Sequence, residues 1–202
     1  MVSTGTQQFS APTYSNLNFS TVGHLINYFL ERTIMKKIAF IGMMGSGKTT
    51  LAKIISEKLR LKCYCTDEYI ENNQGRSISQ IFEAEGEKYF RNLEAEAIKE
   101  LVTLGDMVLS TGGGIVLNGE NIENLKRNGF TIVLLNRSVD KILKSIDGNG
   151  RPLLKDDIAK IKEIYKTREF LYKQNCDIII NNNDDIDETV DKLMNVLMDI
   201  GE

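Results

Sequence analysis

The sequence predicts an α/β domain, doubly wound around a parallel sheet. Short apolar runs alternate along the chain with longer segments whose apolar residues recur at helical spacing. The runs are apolar nearly throughout, as in TIVLL at 131–135, and a strand without polar alternation is covered on both faces, the parallel case.

The elements follow in order. Lys37–Ile41 reads as the first strand. Lys48–Leu59 reads as a helix, with Leu51, Ile54, Ile55 and Leu59 spaced to cover one face. Lys62–Cys65 is a short second strand in which two cysteines alternate with a tyrosine. Ser77 to Gln80 fits a capping box that opens a helix through Ile81 and Phe82. Glu87–Leu104 is expected as a longer helix with Leu93, Ala97, Ile98 and Leu101 inward. Met107–Leu109 and Thr131–Leu135 give the third and fourth strands. Asp156–Lys173 is mostly helical, Asp177–Ile180 is the fifth strand, and Ile186–Ile200 is the last helix, with Val190, Leu193, Met194 and Leu197 inward.

Residues 1–34 differ from the rest. MVSTGTQQFSAPTYSNLNFS is polar with almost no charge, and TVGHLINYFLERT can form a short amphipathic helix bearing Leu25, Tyr28 and Phe29. Met35 then opens MKKIAF like a natural beginning. The expected division is an N-terminal extension over 1–34 and the folded domain over 35–202, a docking or oligomerisation arm being the alternative role for the extension.

Bulk numbers exclude several classes. The 202 residues carry a net charge of −3 and a pI near 5.4, which offers no broad basic surface to nucleic acid or anionic lipid. No apolar run approaches the roughly 18 residues of a membrane span. The three cysteines and single histidine form no zinc or disulfide framework, and reduced thiols in a cytoplasmic protein are the expectation.

GMMGSGKT at 42–49 satisfies G-x-x-x-x-G-K-[ST], with a strand before it and a helix after it. Its glycines let successive backbone N–H groups line one concavity, and the helix adds the positive end of its dipole. Gly45, Ser46, Gly47, Lys48, Thr49 and Thr50 are the expected nucleotide-binding residues. Lys48 would reach the β- and γ-phosphates, and Thr49 would place its hydroxyl on Mg²⁺. No NKxD guanine signature is present, and the segment from Met35 is too short for a motor or helicase core. Phosphoryl transfer from ATP to a small acceptor is the leading class.

Three further clusters concern the acceptor, and a fourth segment the phosphates. Asp67, after the second strand, can accept a hydrogen bond from an attacking hydroxyl, although an aspartate starting a helix also serves as an N-cap. Arg91 offers a planar fork for a substrate carboxylate, or alternatively pairs with Glu87 or Glu94 along its own helix. Ser110-Thr111-Gly112-Gly113-Gly114 brings bare backbone to a strand end, for a ligand or as a loose turn. Asp147–Leu154 (DGNGRPLL) suits either a lid carrying Arg151 over the phosphates or an ordinary exposed loop.

The ordered set GMMGSGKTT, TDEYIE, GRSISQIFEAEGEKYFRNLE, STGGG, RPLL and TREFLY resembles the shikimate kinase family over essentially all of 36–200. The resemblance implies a P-loop nucleoside-kinase-like three-layer fold with a five-stranded parallel sheet, helices on both faces and a mobile lid. It implies transfer of the ATP γ-phosphoryl to the 3-hydroxyl of shikimate with Mg²⁺, a step toward chorismate and the aromatic amino acids, by a cytoplasmic monomer. Matched position by position, it implies Asp67 for the substrate hydroxyls and Arg91 and Arg168 for the carboxylate. Gly113 and Gly114 would add backbone contacts, Lys48 and Arg151 would act at the transferring phosphoryl, and Thr49 would ligate magnesium.

The chain also departs from the family. Cys65-Thr66-Asp67 stands where the family has Asp-x-Asp, and a thiol is a poor partner for the magnesium shell. Lys144 stands where an arginine is usual, and Asn181-Asn182-Asn183 supplies no basic side chain for adenine. A kinase for another polyol acid such as gluconate, or a nucleotide-binding regulatory protein whose catalysis has decayed, are the competing expectations.

Overall fold

The computed structural model describes residues 36–147, 158–183 and 185–200. Five strands form one parallel sheet: β1 (Lys37–Ile41), β2 (Lys62–Cys65), β3 (Met107–Ser110), β4 (Thr131–Asn136) and β5 (Ile178–Asn181), in the order β2-β3-β1-β4-β5. The helices are α1 (Lys48–Leu59), α2 (Thr66–Gln74), α3 (Ile78–Leu101), α4 (Gly119–Arg127), α5 (Val139–Asp147), α6 (Ile158–Gln174) and α7 (Ile186–Ile200).

Side chains alternate across the strands, and both faces are covered. Ile38 and Phe40 of β1, with Val133 and Leu135 of β4, pack under Leu51 and Ile55 of α1 and Val190, Leu193 and Leu197 of α7. Ala39 and Ile41, with Ile132 and Leu134, face the other way onto Ile98 and Leu101 of α3, Leu125 of α4 and Tyr172 of α6. The three-layer expectation holds. Because β1 lies in the middle, its C-terminal end delivers the glycine-rich loop to the centre of the sheet edge where α/β ligands bind.

Some boundaries move. The capping box at Ser77 and Gln80 is present, and its helix runs on through the expected Glu87 start as one element kinked at Gly86 (φ 79°, ψ 175°). It ends at Leu101 rather than Leu104, because Leu104 is 51% exposed and the apolar pattern continues past the last buried turn. Three nine-residue helices, α2, α4 and α5, were not among the expected elements, each being shorter than the window over which a helical period is read. The last strand begins one residue later than expected, since Asp177 turns its carboxylate back to accept from the Ile132 N–H at 2.8 Å. The helix expected from Asp156 is described from Ile158.

Candidate active site

The loop between β1 and α1 leaves an anion cradle open. The N-cap of α1 is Gly47, at φ 96°, and no side chain caps the first turn. Ser46 is fully buried with its Oγ unpartnered, whereas Gly45 and Thr50 lie at the exposed mouth. Lys48 is buried and folds back on the loop, donating from Nζ to the carbonyls of Gly42 and Met43, both at 2.9 Å. Burial draws its ammonium down to about 8, against the opposing pull of Asp67 and Cys65.

Thr49 Oγ1 lies 3.2 Å from Ser110 Oγ at the end of β3. These are hard oxygen donors of the kind Mg²⁺ takes. Cys65 pairs with Ser110 in the strand register, so the thiol stands beside this hydroxyl pair. Among the described residues no group of three His, Cys, Asp or Glu side chains converges on a metal position. A magnesium ion would therefore depend on Thr49 and on the nucleotide's own oxygens.

The three glycines at 112–114 form the hub of the acceptor side. Gly112 donates its N–H to Thr66 Oγ1 at 2.9 Å, which joins the β2–α2 corner to the β3 loop. A side chain at 112 would fall 2.7 Å from Glu94 Oε1 and 2.9 Å from Asp67 Oδ1. A side chain at 114 would overlap the Arg91 guanidinium. The carbonyl of Gly113 accepts from Arg168 Nη1 at 3.2 Å and from the Tyr172 hydroxyl. A Cβ at Gly113 would lie 3.1 Å from the Met44 N–H nitrogen, so this hub also touches the phosphate loop. The alternative of a loose turn fails, because each glycine is closely approached.

Asp67 is the second residue of α2, not its N-cap, which is Cys65. Burial pushes its carboxyl above the usual aspartate value, with Lys48 the chief opposing influence. Arg91 makes both ion pairs considered from the sequence, to Glu87 Oε1 at 2.9 Å and to Glu94 Oε2 at 2.9 Å. This is not a surface arrangement, since Glu94 is 1% exposed and burial pushes its carboxyl up. Arg91 and Arg168, from helices on either side, both bear on the glycine hub.

Lys48, Thr49, Asp67, Arg91, Gly113, Gly114 and Arg168 thus gather at the C-terminal edge of β1, β2 and β3. Arg151 and the rest of the expected lid after Asp147 lie outside the described residues. Lys144 is exposed on α5. The three asparagines after β5 are engaged locally: Asn181 with Asn136, Asn182 with Ser46, and Asn183 with the Ser138 N–H. Sequence reasoning grouped Thr66 with Asp67 without giving it a role, and missed Tyr172, Arg137 and Asn182 as site-building residues. Only Tyr172 left a signal, lying four residues after Arg168 on the same helix face.

The family model described as shikimate kinase matches residues 44–198. A shikimate kinase of Clostridium botulinum (strain Alaska E43 / Type E3) is 41% identical over 162 residues, covering 80% of this chain and 97% of that protein. A shikimate kinase of Clostridium beijerinckii is 39% identical over 163 residues, covering 81% and 95%. Among solved structures, a shikimate kinase from Acinetobacter baumannii in complex with shikimate matches with TM-score 0.76 and 32% identity, covering 83% of this chain and 95% of that one. A gluconokinase from Sinorhizobium meliloti, 13% identical with TM-score 0.58, shares the fold.

Proposed function

The chain belongs to the shikimate kinase family, and from that membership we infer how its own residues transfer the γ-phosphoryl of ATP to the 3-hydroxyl of shikimate. One observation carries the assignment of residues. The glycine hub brings a carboxylate base, two arginines and the phosphate loop into contact with one stretch of three residues.

Shikimate enters with its carboxylate toward Arg91 and Arg168, whose guanidinium groups flank Gly113 and Gly114. Its hydroxyls lie toward Asp67. The loop N–H groups from Gly45 to Thr50 receive the nucleotide phosphates, and Lys48 exchanges the Gly42 and Met43 carbonyls for phosphate oxygens. Mg²⁺, held by Thr49, would supply charge neutralisation between the β- and γ-phosphates.

In the transfer, the 3-oxygen forms a bond to Pγ as the bond from Pγ to the β,γ-bridging oxygen breaks, and ADP leaves. The hydroxyl proton passes to the Asp67 carboxylate, whose raised affinity for a proton suits a base. Lys48 balances charge on the moving phosphoryl, and Arg151, outside the described residues, is assigned there by the family resemblance.

The catalytic domain is assigned to 35–202, with 1–34 as an extension. Support comes from the family match at 44–198 and from relatives whose nearly full length aligns here. Among the described residues no helix is long and apolar enough to cross a membrane, and the three cysteines are free. A cytoplasmic monomer is the reading that the family resemblance implies.

The test is ADP release from Mg·ATP with shikimate, with gluconate, and with neither. Release that depends on shikimate alone is expected. Equal stimulation by gluconate would remove the acceptor assignment and leave only the phosphate cradle.

A further inference from the structure

A loop that turns its N–H groups inward onto phosphates turns its carbonyls outward into protein, where each needs a donor. Gly42 and Met43 receive Lys48. Gly47 receives the Leu51 N–H within α1, at 3.0 Å. Of the three carbonyls in between, on Met44, Gly45 and Ser46, the last two are met by side chains from the far half of the sheet. Arg137, just past β4, donates from Nη1 to Gly45 at 3.1 Å. Asn182, just past β5, donates from Nδ2 to Ser46 at 2.7 Å.

The asparagine is the more firmly held of the two. It is 6% exposed, and its own N–H donates to the Asn136 carbonyl at 2.7 Å, which fixes it to the end of β4. Its Oδ1 accepts from Thr189 Oγ1 at 3.1 Å, and Thr189, in the first turn of α7, is fully buried. The Ser46 carbonyl can only accept, so the amide nitrogen must be the atom facing it. Gly47 completes the fit, since a Cβ there would lie 2.7 Å from Asn182 Nδ2. Loop and amide have closed onto each other with no room for a methyl group between them.

We infer that Asn182 is a positioning residue for the nucleotide: anchored by Thr189, it holds the Ser46–Gly47 peptide so that the loop's N–H groups are aimed before ATP arrives. A cradle already in its bound shape loses less freedom on binding and keeps more of the contact energy as affinity. The role reaches no acceptor atom. It rests on the phosphate-cradle part of the function proposed above, and it adds a nucleotide determinant from the last strand and helix to a site otherwise built on β1, β2 and β3.

The experiment measures ADP binding by calorimetry on the full chain, without acceptor, alongside the KM for shikimate at saturating ATP. The variants are Asn182→Ala, Asn182→Asp and Thr189→Val. Loss of one buried donor predicts an ADP dissociation constant raised about tenfold in both Asn182 variants, with the shikimate KM within about twofold. Thr189→Val, which frees Oδ1 but leaves Nδ2 in place, is expected to raise it about threefold. If Asn182→Asp alone weakens ADP, the effect is charge beside the phosphates and the positioning role is wrong. If both Asn182 variants lose ADP and shikimate together, or fail to fold, Thr189→Val decides: weakened ADP alone upholds the inference, and unchanged ADP overturns it. Failure of the unaltered protein to bind ADP would instead bring down the cradle itself.

Discussion

Asp67 and Glu94 arrive from different helices and turn a buried, unpartnered carboxylate oxygen toward the same point above Gly112. The two acidic groups stand close only because residue 112 has no side chain. One is the assigned base and the other holds Arg91, so this point links proton transfer to carboxylate recognition.

Gly112→Ala therefore separates the acceptor site from the nucleotide site. The added methyl must push Asp67 and Glu94 apart, and a misplacement near 1 Å costs about a hundredfold in rate. Steady-state kinetics should show kcat/KM for shikimate down by about that factor, while ADP binding stays within about twofold. Equal loss of both would show that the loop, not the carboxylates, had moved.

Asp67→Asn should abolish turnover and stabilise the unliganded protein. The folded-state carboxyl lies above its unfolded value, so this group favours folding fully only below about pH 3.9 and loses that contribution as pH rises through the folded value. At pH 7.5 the native chain carries the cost of a buried carboxylate and the amide does not. Thermal melts should put the Asp67→Asn variant higher at pH 7.5, with the gap narrowing as the pH falls. A lower Tm at pH 7.5 would contradict the desolvation account.

Nucleotide binding should take up a proton above neutrality. Lys48 rests near 8 while buried against carbonyls, and the phosphates favour its charged form. At pH 8.5 a large part of one proton should be taken up per ADP, read from calorimetry in buffers of different ionisation enthalpy. Uptake near zero would mean that Lys48 is already fully charged in the free enzyme.

Tyr172→Phe tests the support beneath the glycine hub. The phenol is buried and pushed up to about 12, chiefly by that burial, so it stays a neutral donor to the Gly113 carbonyl throughout the working pH range. Its loss should raise the shikimate KM roughly fivefold, about 1 kcal/mol, with the ATP KM unchanged. A matched rise in both would point to general loosening.

Cys65→Asp addresses the departure at the metal. A carboxylate beside Thr49 and Ser110 is a better outer partner for Mg²⁺ than a thiol. The Mg²⁺ concentration for half-maximal rate should fall several-fold, on the order expected for an outer-sphere ligand. No change would show that Thr49 and the nucleotide suffice.

Much of this was legible in the chain because it is written locally. Phosphate binding needs consecutive glycines, a lysine and a hydroxyl in one unbroken stretch, and GMMGSGKT supplies them between a strand and a helix. The central strands β1, β3 and β4 were legible for the same reason, since burial on both faces leaves an apolar run. The short helices α2, α4 and α5 were not, as each is shorter than the stretch over which a helical period is read.

By itself, then, the sequence determined the layered parallel sheet, the phosphate loop and the residue types of the acceptor site. Only the tertiary structure decided that Glu94 is a buried partner of Arg91, that Tyr172 supports Gly113, and that Asn182 closes on Gly47. The first is a pairing the sequence offered, whose burial the sheet decides; the other two join residues far apart in the chain through a single hydrogen bond and a missing methyl group. Neither leaves a periodicity or a composition to read, because the specificity lies in where the sheet's edges bring the backbone together.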